Sequence, residues 1–125
     1  MSAVDVVKEI LDQAIPELQK QMASMSQGCS GGDHGVPPEN WQARQAPGNS
    51  AIQAFSAARA ALGEGRIPDT KQQIISALTQ WDTLINSLAL SCSGGEHGRD
   101  PDNYGNYLRF RDLLKERLLT ALRFL

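Results

Sequence analysis

The chain has 125 residues, a net charge of −2, 41% hydrophobic residues and two cysteines, which suits one helical domain over 1–125 with a modest core. Its basic residues are dispersed, which excludes the electrostatic footprint of a duplex nucleic-acid binder and leaves no polybasic membrane patch. No apolar run reaches membrane-spanning length and Met1-Ser2-Ala3-Val4-Asp5 lacks a signal-peptide pattern, so the expectation is a cytoplasmic protein whose cysteines serve thiol or metal chemistry, or packing, rather than a disulfide.

In chain order, the first element is a helix. Val4, Val7, Leu11, Ile15, Leu18, Met22 and Met25 form one apolar stripe at three-and-four spacing, and Ser2 with Asp5 has the spacing of a capping box. Pro16 falls inside this helix and predicts a kink rather than two helices. The segment Cys29-Ser30-Gly31-Gly32-Asp33-His34-Gly35 comes next as a glycine turn, with Cys29 carried to the core-facing side. Pro47-Gly48-Asn49-Ser50 then predicts an interruption, between a short turn of helix over Glu39 to Gln45 and a new helix from Ser50 to Leu62. Ala54, Ala57, Ala58 and Ala61 would let that helix approach its neighbours closely. Gly63-Glu64-Gly65 ends it.

The next helix carries Ile74, Leu78, Trp81, Ile85 and Leu88 on one stripe, with Pro68 at its entrance and Thr70 and Gln73 spaced as a second capping box. Trp81 and Phe55 read as core. The turn then returns as Cys92-Ser93-Gly94-Gly95-Glu96-His97-Gly98, and the match continues through Pro38, Asn40 and Trp41 against Pro101, Asn103 and Tyr104. The chain is therefore an internal repeat, 1–62 and 64–125. Asp100-Pro101 launches a last helix to about Leu125. Its residues Tyr107, Leu108, Phe110, Leu113, Leu114, Leu118, Leu119, Leu122, Phe124 and Leu125 exceed one core stripe. Either it is the central helix or part of it meets another subunit, giving a homo-oligomer through the C-terminal helix. Arg109, Arg111, Lys115, Arg117 and Arg123 read as its solvated face.

This order predicts an all-α, up-down-up-down four-helix bundle built from two helix-loop-helix units, with both glycine turns at one end. Convergence there would gather Cys29, His34, Cys92 and His97, the Cys2His2 set of a structural zinc or similar divalent metal site, with Asp33 and Glu96 orienting the imidazoles or adding ligands. The alternative is a non-enzymatic binder of a small anionic or nucleotide-like ligand, or of a partner protein. Backbone donors of Gly31, Gly32, Gly94 and Gly95 would then act with His34, His97 and Arg99, with Asn40 and Asn103 lining the site and Trp41 and Tyr104 stacking a ring. Nearby acids oppose an anion. Two further readings are a thiol enzyme, which two equivalent copies disfavour, and a folding element in which cysteine packs and histidine bonds to backbone.

Overall fold

The computed structural model describes residues 2–26, 41–88 and 101–125, with the side chains of 101–103 outside that description. Among the described residues 92% are helical and none is in a strand. There are four helices in order: α1 Ala3–Met25, α2 Trp41–Gly63, α3 Ile67–Leu88 and α4 Pro101–Leu122. Neighbours in sequence pack together and α4 closes the ring on α1, which makes the predicted four-helix bundle. None of the four is long and apolar enough to cross a membrane.

The helices begin and end for local reasons. Ser2 accepts a hydrogen bond from the Asp5 amide at 3.2 Å, satisfying a donor that the first turn leaves free. At the far end of α2, Gly65 adopts φ +75°, its amide donates to the Leu62 carbonyl, and Arg66 donates to the Ala61 carbonyl. That pair of bonds is a Schellman motif, which closes a helix through a left-handed residue and reverses the chain into α3. Arg66 is held charged, above the ordinary guanidinium range, by hydrogen bonds to Glu64 and Asp69 and their attraction.

Burial repeats with the sequence. Val7, Leu11, Ala14, Leu18, Gln21, Met22 and Met25 in α1 are all buried. So are their counterparts in α3: Thr70, Ile74, Ala77, Trp81, Leu84, Ile85 and Leu88. Likewise Ala51, Phe55 and Ala58 of α2 correspond to Leu114, Leu118 and Ala121 of α4, all buried. The bundle is thus a pseudo-two-fold structure in which α1 and α3 take one role and α2 and α4 the other.

Several expectations are corrected. The interruption at Pro47-Gly48 is absent, and α2 runs as one helix from Trp41 to Gly63. Its core face, including Gly48, Ala51 and Phe55, is buried, and that packing outweighs the lost proline donor. Gly48 serves packing: a Cβ there would lie 2.5 Å from the Met22 sulfur and 2.7 Å from Leu84 Cδ2. Helix α1, by contrast, runs through Pro16 as one helix, as the sequence predicts. Thr70 is no cap, because α3 begins at Ile67; its hydroxyl donates to the Arg66 carbonyl at 2.8 Å. Val4 and Ala57 are exposed and Ile15 only half-buried, while Ile10 and Ala14 complete the α1 core face. Helix α4 ends at Leu122, and Arg123, Phe124 and Leu125 donate to carbonyls three residues back.

The last helix is not the central one. Leu113 is 53% exposed, Leu119 42% and Phe124 75%. Nor are all its basic residues solvated: Arg111 and Lys115 both pair with Asp82 on α3, at 3.2 and 2.8 Å. Burial works against the charge of Arg111, yet hydrogen bonding and attraction from Asp112 and Asp82 prevail and raise its pKa.

Candidate functional site

Side chains fix which helix ends lie together. The Tyr107 hydroxyl donates to Ser24 Oγ at 3.0 Å, joining the first turns of α4 to the last turn of α1. Gly48, early in α2, lies against Met22 near the end of α1 and Leu84 near the end of α3. Residues 26, 41, 88 and 101 therefore share one end of the bundle. Both stretches that hold the repeated sequence, 27–40 and 89–100, leave and rejoin the helices there.

Trp41 and Tyr104 are the repeat-equivalent aromatics at this end, and both are half-buried against the core. Sequence spacing proposes them for stacking a ring, and their packing places both at the rim of the core at this end. Asn103 falls in the first turn of α4. The other candidates, Cys29, Gly31, Gly32, Asp33, His34, Asn40, Cys92, Gly94, Gly95, Glu96, His97 and Arg99, lie outside the described residues, as does the inward placement of the cysteines. Among the described residues no group of three or more His, Cys, Asp or Glu is arranged to hold a metal ion.

Polar groups that periodicity hides also gather here. Gln21, 6% exposed, donates to Glu17 at 3.4 Å, while its Oε1 is buried without a hydrogen-bond partner. Arg44 is half-buried in the first turns of α2. Tyr107, counted from sequence as one more apolar residue of the last helix, supplies the hydroxyl that ties α4 to α1. A cleft of about 400 Å³ opens beside that bond, lined by Lys20, Gln21, Ser24, Asn106 and Phe110. Only one sequence signal could have singled these out: Gln21 and Arg44 are polar residues at positions where their repeat counterparts are Leu84 and Tyr107.

Comparison with protein-family models, curated proteins and solved structures returned no match.

Proposed function

We propose that the two copies of Cys-Ser-Gly-Gly-acid-His-Gly form one binding site for a divalent metal ion, zinc in the first instance. Cys29, His34, Cys92 and His97 would be the ligands, with Asp33 and Glu96 behind the imidazoles. The observation that supports this reading is the common end: the residues flanking both copies meet there, so neither copy has to cross the bundle to reach the other. Thiolate and imidazole pairs suit a closed tetrahedral zinc site. A reducing, cytoplasmic setting would keep both thiols available.

The test is elemental analysis of protein purified without chelator. About one zinc per chain is expected, and Cys29→Ser or Cys92→Ser should remove the metal and lower the melting temperature together, because binding to such a site is coupled to folding. Metal at background, with the double Cys-to-Ser chain as stable as the parent, would sink the reading. Phosphate or nucleotide binding that depends on Arg99 or His34, without metal, would replace it with the anionic-ligand alternative.

A further inference from the structure

The pseudo-two-fold makes the α2–α3 contact and the α4–α1 contact equivalents, yet they differ. Helices α2 and α3 pack far more closely than α1 and α4 do. Where α2 presents Ala54 and Ala61, both buried, α4 presents Arg117 and Phe124, both exposed. Side chains of that size do not fit between close helices, so they stand at the surface and leave a furrow between α1 and α4. It holds about 590 Å³ where α1 begins and α4 ends and about 400 Å³ beside Tyr107.

The loop end of the bundle is therefore held in two different ways. Between α2 and α3 the backbones are close, and Gly48 fits against Leu84 with no room for a Cβ. Between α4 and α1 the Tyr107 hydroxyl reaches across to Ser24 Oγ at 3.0 Å. The serine is common to both halves, but Ser87, the counterpart of Ser24, donates its hydroxyl to the Leu84 carbonyl of its own helix at 2.6 Å. The position equivalent to Tyr107 is Arg44. The tyrosine bridge thus stands at the contact that side-chain bulk keeps open.

We propose that the Tyr107–Ser24 bond positions the two copied segments for one metal ion, so that docking of α4 on α1 and metal affinity are coupled. The coupling rests on Cys29, His34, Cys92 and His97 being the ligands. Cys29 follows the last residue of α1 by four positions, and His97 precedes the first residue of α4 by four. A four-residue tether spans at most about 14 Å, so an ion held by this thiol and this imidazole stays near both helix ends. Cys92 likewise follows the end of α3 by four positions, and the close α2–α3 packing fixes where that end stands. The end of α1 and the start of α4 lack such packing, and the tyrosine bridge sets their separation instead. Ligands already held at the right spacing bind more tightly, because less ordering remains to be done. Linkage makes the effect reciprocal: bound metal favours the docked α4.

Zinc affinity, measured on the full folded chain by competition with a chromophoric chelator, should fall about fivefold in Tyr107→Phe and about fivefold in Ser24→Ala. The double variant should fall no further, because all three lack the same bond. Val7→Ala supplies the control: it removes atoms of a fully buried side chain at the opposite end of the bundle, and should lower chain stability while leaving zinc affinity unchanged. A parent chain that binds no zinc would remove the metal reading and the coupling with it. Parent affinity in both Tyr107→Phe and Ser24→Ala, a double variant weakened about twenty-fivefold, or equal weakening by Val7→Ala would overturn the coupling and leave the metal reading in place.

Discussion

The two equivalent interfaces of the bundle teach how small side chains decide packing. On α2, glycine and alanine at positions 48, 51, 54, 58 and 61 are all buried, and a turn of only Glu64, Gly65 and Arg66 joins α2 to α3. On α4 the same register reads Arg111, Leu114, Arg117, Ala121 and Phe124. Helix α4 still buries Leu114, Leu118 and Leu122 in the shared core. Its flank toward α1, however, is too bulky for the backbones to close. The first interface spends its surface inside the fold, and the second keeps much of it outside. One duplicated unit has thus yielded a closed contact and an open one.

Substitutions on the closed side should do the most damage. Trp81→Ala, which empties the largest fully buried side chain on α3, should cost about 4 kcal/mol in chemical denaturation. Gly48→Val should cost about 2 kcal/mol, since the new side chain meets Met22 and Leu84 and helix propensity offsets little of the overpacking. Loss of less than half that amount would show that the contact has slack. On the open side, Tyr107→Phe removes the bond to Ser24 and should cost about 1 kcal/mol. Leu113→Ala, at a half-exposed position of the furrow, should change the stability of the single chain by no more than about 0.5 kcal/mol. Hydrogen exchange resolves the same contrast amide by amide: central amides of α4 should open before those of α2 and α3, because fewer tertiary contacts hold them. Equal protection in all four helices would remove the distinction.

Much of the fold was legible from residue spacing. The stripes of α1 and α3 announced two amphipathic helices, and the repeat announced that the same turn succeeds each of them. Spacing misread the punctuating residues. Pro47 and Gly48 look like a break in any sequence, because a proline removes a donor and a glycine loosens the backbone locally. Only the neighbouring helices show that the missing side chain of Gly48 is a notch for Met22 and Leu84. The same limit applies to the candidate site. The repeated Cys and His were visible at once, but Gln21, Arg44 and Tyr107 were not, since the role of a polar atom depends on its buried neighbours.

Periodicity, caps and short connections act over a few residues, so the helices, their order and their common end could be read from the chain alone. The apolar side chains of α4 that stay outside could not. Exposure depends on how closely two backbones approach, and that distance is set jointly by side chains from both repeats, far apart in the chain.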